Sequence, residues 1–586
     1  MMLKEIVRHH NYKLEVVIVF SIIFLIREPR LTAASYFYGT HALNMMDSSY
    51  LANSPEMVGL THVISPRIIF DYLLYMPMRL GLSFELTIYI WNIVADLLYS
   101  IGMLSLISSV NIKKRLPLAI LFLLAIIQSP MISEAFGFHL YYDQQTPLTI
   151  AFALEMIAMS KAIKGRWTEA FLFASIGALF HIHEGIYGGG IITIMLILNY
   201  LRTSFFKITH LIGLISWVGV IIALSLPTLL TDRANISNEE FCSFYLQYVG
   251  HMSFFSGWHS NVLFLFSSLS ICMLTYRYLG ERSFLKASDM KIYMTLLCLL
   301  MVAVIIFVDV VPLSIAYKLY PQKFFKYFSI LFVLQYFVYF DEIINNETII
   351  VVLQRLLLAV SNIVTPVVVF FTAICVFFCG NTRRYLNMLL LIGTLCAYYL
   401  IALYGDIHPL KYLALLAVSP FLFLDKKRFV EITIISLASV VLLIVNCAYS
   451  YFHNWNNIFY SKNMDIEGNI RIYEVMRIII PIGEVYLTTP SLGSKIFIVN
   501  VVSGVPCYIW PGPPSTSTGT LENLNRIKRI NDWDCLSFEE KIVRARELGI
   551  NYILFQTSEI PSNVNRVIQS EEFALVNVKL EPNYFD

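Results

Sequence analysis

Hydrophobic runs of about twenty residues recur along the chain from residue 14 to residue 449 and then stop. A water-soluble domain has no means of burying so many apolar runs. Lipid solvates them, and a helix satisfies its own backbone hydrogen bonds within lipid. Of the 586 residues, 57% are hydrophobic and only 14% are charged, and the mean hydropathy is +0.67. The sequence therefore predicts a polytopic α-helical membrane protein, with about 13–15 spans over residues 1–449.

Clusters of positive charge between these runs predict which loops face the cytoplasm. An uncleaved first span places the N-terminus inside, and residues 28–66 form a long first outer loop with few basic residues. The short segment 67–80 is apolar but charged, and we interpret it as a juxtamembrane helix in the membrane interface. With this interpretation the later basic clusters face the cytoplasm. Counting spans from the two ends of the chain then agrees only if residues 348–360 also cross the membrane. The last span, 429–449, places the C-terminus outside.

Residues 450–586 are predicted to form a small extracytoplasmic α/β domain. One helical pattern runs from Leu521 to about Ile530. Another begins at a capping box, in which Ser537 and Glu540 cap each other's backbone, and ends at Gly549. Three segments are rich in β-branched and aromatic residues, which is typical of strands: 484–489, 496–502 and 551–556.

The C-terminal segment contains three further features. Residues 510–519 are rich in Pro and Gly and are predicted to be a loop. Cys507 and Cys535 are the one cysteine pair of this segment that can be considered for a disulfide, and the sequence leaves their pairing open. Asp532 and Asp534 form an Asp-x-Asp pattern that can hold a divalent cation, but solvation of a helix end is the favoured interpretation.

Ionisable residues at membrane level are costly, which makes them candidates for function. They concentrate in the predicted outer loops. Asp47, in the first loop, has the chemistry of a general base. Each candidate also has a purely structural interpretation. The acids can cap a helix or lie in a solvated loop, the histidines can pack within a broken helix, and the lysines can extend to the lipid headgroups. The other candidates are His41 in the first loop, Glu134, His139 and Asp143 in the second, His181, His183 and Glu184 in the third, and Lys318 and Lys323 at the outer end of a later span.

In architecture the chain resembles the GT-C superfamily of membrane glycosyltransferases, and in particular a poorly characterised bacterial branch. Three short elements carry the resemblance: Tyr38-Gly39-Thr40-His41 followed by Asp47, the segment from His181 to Gly185 with a spacing one residue wider, and Thr488-Thr489-Pro490 at a strand end. The first two outer loops contain no Asp-x-Asp pattern, in contrast to the metal-dependent members. A divalent cation is therefore left open as a cofactor.

The resemblance implies transfer of a sugar from a polyprenyl-phosphate-linked donor to a glycan, lipid or protein acceptor. The reaction would occur at the outer face of the bacterial cytoplasmic membrane, by one inverting displacement. Asp47 would act as the base, with Asp143 or Glu134 orienting the acceptor or assisting Asp47. The residues expected to bind substrate or to stabilise the leaving phosphate are His41, His139, His181, His183, Glu184, Lys318 and Lys323.

Two other functions share some of these features. A transporter or flippase of lipid-linked saccharides also needs many spans and intramembrane charges, but no inverted repeat is visible and a substantial soluble domain is unusual for one. A glycan polymerase or ligase usually relies on arginines in a large late outer loop, and the late loops here are short and poor in arginine. The net charge of +2 resides in clusters between spans and does not indicate a nucleic-acid partner.

Overall fold

The computed structural model describes parts of the membrane domain and most of the C-terminal domain. The second outer loop, with Glu134, His139 and Asp143, lies outside the described residues, as do the segments 348–360 and 429–449. The described residues are 12–21, 23, 33–60, 67–110, 146–231, 236–248, 253–255, 287–346, 466–488, 499–500, 502–510, 514, 517–562, 564–570 and 572–580.

The described part of the membrane domain is helical. Four segments are long and apolar enough to cross a membrane, namely Phe84–Ile107, Ile182–Thr203, Ile208–Leu226 and Asp289–Val310, as fits a multi-pass membrane protein. The total of 13–15 spans stays a prediction. The helices are α1 (Ala33–Met46), α2 (Pro55–Leu60), α3 (Ile68–Arg79), α4 (Phe84–Ile107), α5 (Thr146–Ile163), α6 (Trp167–Phe180), α7 (Ile182–Thr203), α8 (Ile208–Thr231), α9 (Asn238–Tyr248), α10 (Ala287–Val304, continued by a π-helical turn at Ile305–Val310), α11 (Ser314–Leu319), a 3₁₀ turn (Pro321–Lys323) and α12 (Phe324–Asn346).

Helices α4 to α7 pack closely because small residues line their contacts. A side chain at Gly102 of α4 would lie 2.6 Å from the carbonyl oxygen of Ala153 in α5, so the two backbones approach each other directly. In contrast, α8 has an apolar face that is more than half exposed at Ile212, Ile215 and Ile222. Lipid is the solvent that such a face requires.

The predicted first outer loop contains the short helices α1 and α2, and α3 falls within the segment predicted to be a juxtamembrane helix. Helix α3 ends at Arg79, and two residues later Gly81 has a φ of +98°, which suits a residue without a Cβ atom. The Ser83 side chain then accepts a hydrogen bond from the Leu86 backbone N–H and caps α4. The three short helices are therefore held directly beside the start of a candidate span.

The C-terminal domain contains a four-stranded mixed sheet with the strand order β1-β2-β4-β3. Strand β1 pairs in parallel with β2, and the other pairs are antiparallel. The central residues Ile553, Leu554, Leu575 and Val576 are almost completely buried, because helices or turns cover both faces. The elements are α13 (Ile466–Ile479), β1 (Tyr486–Thr488), α14 (Ser517–Arg529), a 3₁₀ turn (Trp533–Cys535), α15 (Phe538–Glu547), β2 (Tyr552–Gln556), β3 (Arg566–Gln569) and β4 (Phe573–Asn577).

The structure confirms the strands predicted around 484–489 and 551–556 and the capping box of Ser537 and Glu540. The predicted strand at 496–502 is wrong where it is described, since residues 499–500 and 502–503 are helical. The Asn500 side chain explains this, because its Oδ1 accepts hydrogen bonds from the Tyr486 hydroxyl and the Cys507 backbone N–H. These tertiary contacts override the preference of β-branched residues for strands.

One boundary predicted for this domain needs correction. The loop predicted over 510–519 is too long, because α14 begins at Ser517. Helix α13 and strands β3 and β4 were not predicted at all. The carboxylate of Asp532, for which solvation of a helix end is the interpretation that the sequence favours, is 3.2 Å from the guanidinium of Arg544 and forms an ion pair with it.

The C-terminal domain docks on residues 50–53 of the predicted first outer loop. The Leu51 backbone N–H donates to the Gly504 carbonyl at 2.9 Å, and Arg526 donates to the Asn53 carbonyl at 3.0 Å. Trp510 is 1% exposed and belongs to a buried cluster that also contains Tyr50. Chain segments more than four hundred residues apart therefore form one folded surface.

Cys507 and Cys535 are both free thiols, with Cys507 buried and Cys535 exposed. Burial raises the pKa of the Cys507 thiol to about 12. A hydrophilic maleimide is therefore expected to label Cys535 in the folded protein and to leave Cys507 unlabelled until unfolding, because the thiolate is the nucleophile. Mass spectrometry of the peptides measures both positions. Cys535→Ser is the control, and a disulfide-linked peptide containing both cysteines would contradict the structure.

Candidate functional site

A buried ion cluster lies where α7 begins beside the start of α12. The Glu184 carboxylate forms an ion pair with Lys326, and its other oxygen is 3.9 Å from the Lys323 ammonium. The Tyr327 hydroxyl donates to the same carboxylate at 2.8 Å. The exposed fractions are 0% for Glu184, 3% for Lys326 and 7% for Lys323. The structure thus brings together two of the predicted residues, Glu184 and Lys323, and adds Lys326 and Tyr327.

Local sequence places these lysines on one side of the chain. Lys323 and Lys326 are three residues apart, so they share a face where the 3₁₀ turn runs into α12. The preceding residues are fixed to α7, because the His183 ring nitrogen is 3.0 Å from the Lys318 carbonyl and the Tyr187 hydroxyl donates to the Leu319 carbonyl. These contacts hold the start of α12 against the first turn of α7.

His181 and His183 lie side by side, with ring centroids 5.6 Å apart. Their i, i+2 spacing would separate them on a helix, but His181 precedes α7 and has an extended φ of −156°. Burial and the neighbouring Lys323 and Arg67 lower the pKa of His181 well below its usual value. His181 is therefore neutral at physiological pH, and its buried Nδ1 has no hydrogen-bond partner among the described residues.

Arg67 extends the cluster to the first-loop helices. Its side chain is 4% exposed, and its guanidinium lies over the rings of Tyr38, at 4.7 Å, and Phe37, at 5.1 Å. Such stacking orients a guanidinium while leaving its edge for hydrogen bonds. Because Arg67 and Lys323 both act electrostatically on His181, the two sides of the cluster meet at this histidine.

His41 joins the helices α1, α2 and α3, which we call the first-loop unit. Its Nδ1 is 3.2 Å from the Asp71 carboxylate in α3, and its Nε2 is 3.7 Å from the Glu56 carboxylate in α2. Burial opposes protonation, but the two carboxylates outweigh it and raise the pKa of His41 above its usual value. The protonated His41 ring therefore connects α1, α2 and α3 through its two carboxylate neighbours.

The linked charges nearly balance. Arg67 acts electrostatically on both His41 and His181. The cluster around Glu184 and the charged residues of α1, α2 and α3 therefore form one electrostatic unit. With His41 protonated, one positive charge is in excess before Glu155, a buried acid of α5, is counted. The cations are Arg67, His41, Lys323 and Lys326, and the carboxylates are Glu56, Asp71 and Glu184.

Asp47 lies apart from these contacts, just beyond the end of α1. Its carboxylate accepts hydrogen bonds from the Ser49 hydroxyl and backbone, and it forms an ion pair of 2.8 Å with Arg477 of the C-terminal domain. The Ser49 hydrogen bond and Arg477 lower the pKa of Asp47, although its side chain is 42% exposed. Asp47 is therefore ionised at neutral pH, and its role as the base stays a prediction.

The remaining predicted residues lie in other surroundings. Lys318 is exposed, with its ammonium 5.3 Å from the centre of the Phe241 ring, and its backbone carbonyl rather than its charge contacts His183. Among the residues that the structure describes, no group of three or more His, Cys, Asp or Glu side chains is placed to hold a metal ion.

Sequence reasoning missed five residues of the site. Arg67 and Asp71 had a signal, since both are charges in an apolar segment too short to span. Lys326 and Tyr327 follow Lys323 at helical spacing, but only the tertiary fold shows that Lys326 is the direct partner of Glu184. Glu56 had no comparable signal, because an acid in a long loop is ordinarily solvated.

Raising the pH is expected to weaken the first-loop unit. The folded-state pKa of His41 lies above its unfolded value, so its stabilising contribution is complete below about pH 6.5 and is lost as the pH rises through the folded pKa. Thermal unfolding measured against pH tests this. The decline should be smaller in His41→Gln. It should persist in the control His181→Gln, since His181 is neutral throughout. An unchanged decline in His41→Gln would contradict the assignment.

Comparisons of the chain with models of known protein families, with curated proteins and with solved structures find no match. What the site does must therefore be inferred from its own chemistry.

Proposed function

We propose that this protein transfers a sugar from a polyprenyl-phosphate-linked donor to an acceptor at the outer face of the membrane. The observation that supports this most is the buried group of Arg67, Lys323 and Lys326 around the neutral His181. A phosphate group that leaves with increasing negative charge is stabilised by cations and hydrogen-bond donors already in place. A guanidinium can bind two phosphate oxygens at once, whereas each lysine supplies a point charge.

In this proposal the acceptor hydroxyl attacks the anomeric carbon of the donor. Asp47 takes the hydroxyl proton, the new C–O bond forms, and the bond between the anomeric carbon and the phosphate oxygen breaks with inversion. The electron pair of that bond leaves on the polyprenyl phosphate, where Arg67, Lys323 and Lys326 oppose the added charge. Glu184 acts as a positioning residue, because it holds both lysines.

The position of Asp47 gives the C-terminal domain a role in this reaction. Asp47 follows the last residue of α1, whereas Arg67 stacks on Phe37 and Tyr38 within that helix. Arg477 of α13 contacts Asp47 directly. The domain therefore borders the proposed acceptor side of the site, and we propose that it helps to hold a glycan, lipid or protein acceptor.

The location follows from the same proposal. The lipid donor requires a membrane, and the first-loop helices share a surface with the C-terminal domain. We therefore place both on the extracytoplasmic side of a bacterial cytoplasmic membrane, in agreement with the distribution of basic residues in the sequence.

A transporter or flippase of lipid-linked saccharide is the second candidate. The observation that favours it is the presence of Glu155, Glu184 and Lys326 together inside the helix bundle, since intramembrane acids and lysines are common along transport pathways. Labelled donor in reconstituted vesicles distinguishes the two functions. A transferase produces a new glycosidic product, whereas a flippase moves the lipid without changing its mass.

Lys323→Gln is expected to lower sugar transfer roughly ten- to a hundredfold, because a charged hydrogen bond to a buried phosphate is worth about 1.5–3 kcal/mol. Lys318→Gln is the comparison, and we expect a smaller effect because the Lys318 ammonium is exposed. Product formation by equal amounts of folded protein measures both. Full activity in Lys323→Gln would contradict the phosphate-binding role.

Asp47→Asn is expected to abolish transfer if Asp47 is the base. Arg477→Gln, which removes the same ion pair but retains the carboxylate, should keep most of the activity. It should also move the acid limb of the pH–rate profile to higher pH, because Arg477 helps to lower the pKa of Asp47. Equal losses in the two variants would show that Asp47 acts only as a contact to the C-terminal domain.

A further inference from the structure

Glu155 is a carboxyl group in the middle of α5 with an unusual environment. Its side chain is 0% exposed, and neither carboxyl oxygen has a hydrogen-bond partner among the described residues. Burying an ionised carboxylate without hydrogen bonds in an apolar region costs far more than protonating it. An acid at this position needs a reason beyond the packing of helices.

The surrounding helices provide space for this carboxyl group. A side chain at Gly177 of α6 or at Gly188 of α7 would overlap the carboxyl oxygens of Glu155. Two glycines on two different helices therefore form a slot that the carboxyl group fills. Alanine in place of Glu155 would leave that slot empty, and alanine at either glycine would displace the acid.

Two charged groups lie within electrostatic range of Glu155. One is Glu184 of α7, which opposes ionisation of Glu155, and the other is Lys326 of α12, which favours it. Lys326 already forms an ion pair with Glu184, to which the Tyr327 hydroxyl also donates. Asp96 is the buried acid of α4, the helix packed on the other side of α5.

We propose that Glu155 binds a proton inside the helix bundle, so that Glu155 and Glu184 together carry a single negative charge beside Lys326. Two neighbouring carboxylates in a low-dielectric region do not both ionise readily when the ammonium groups beside them, Lys323 and Lys326, are both paired with Glu184. Glu184 has the ion pair and the Tyr327 hydrogen bond, so the proton belongs on Glu155. This inference stands independently of sugar transfer.

The bound proton has a consequence for the ligand. With His41 protonated and Glu155 neutral, the linked cluster has one positive charge in excess, and ionisation of Glu155 removes that excess. A phosphodiester carries one negative charge. The protonated state of Glu155 is therefore the state whose charge complements such a ligand.

Infrared spectroscopy of the full-length protein in lipid vesicles tests the proposal without any substrate. The wild-type protein at neutral pH should show the carbonyl band of a protonated carboxylic acid, and Glu155→Gln should lose it. The control Glu169→Gln removes a half-exposed acid that pairs with Lys161 at 2.9 Å, and it should lose only carboxylate bands. Loss of carboxylate bands in Glu155→Gln would overturn the proposal.

Labelling all glutamates with carbon-13 keeps the test decisive if Glu155→Gln does not fold. The acid band of the wild-type protein should then shift to lower frequency, because a heavier carbonyl carbon vibrates more slowly. An acid band that does not shift would place the proton on an aspartate such as Asp96. The absence of any acid band would show that Glu155 is ionised. Either result overturns the proposal and leaves sugar transfer to be tested by its own assay.

Discussion

The ion pair between Glu184 and Lys326 is the interaction on which the rest of the site depends. A buried charge is tolerated only when it is paired and hydrogen-bonded, and removing one partner of such a pair typically costs about 3–5 kcal/mol. The Tyr327 hydroxyl bonds to Glu184, and the chain that leads into α12 is tied to α7 through the carbonyls of Lys318 and Leu319. Helix packing and the chemistry of the cluster therefore use the same contacts, so every variant of these residues requires a folding control.

The same requirement explains how the short helices α1, α2 and α3 are held together. His41, Glu56 and Asp71 are buried together in the first-loop unit, and the two carboxylates stabilise the protonated His41 ring. The C-terminal domain then covers part of this unit, with Trp510 in its buried cluster. Charge pairing within these helices and docking of the C-terminal domain give a defined surface, which the proposed catalytic role of Asp47 requires.

The sequence was most informative where local physics dominates. Apolar runs predict spans, and Ser537 and Glu540 predict a helix start, because lipid solvation and capping depend on neighbouring residues. Long-range contacts were not predictable. Residues 499–500 are helical because the Asn500 side chain bonds to Tyr486 and Cys507, and Lys326 matters because a helix more than 140 residues earlier supplies Glu184. Candidate residues could be named from the rule that charges at membrane level are functional, but their partners could not.

Charge balance also explains why transfer and transport are hard to separate by inspection. Both functions need a site that admits an anionic lipid headgroup into an environment where an unbalanced charge is costly. A cluster whose cations were fully neutralised would bind the phosphate weakly, and one with a large excess would not fold well. Protonation of Glu155 sets the net charge of the cluster. With His41 protonated, the cluster carries one positive charge when Glu155 is neutral and no net charge when Glu155 is ionised. What distinguishes a transferase is a base beside the acceptor, and Asp47 is ionised, accessible from solvent and placed against a second domain. The proposed phosphate-binding cluster would serve both functions, and the surroundings of Asp47 are the reason that we propose the enzyme.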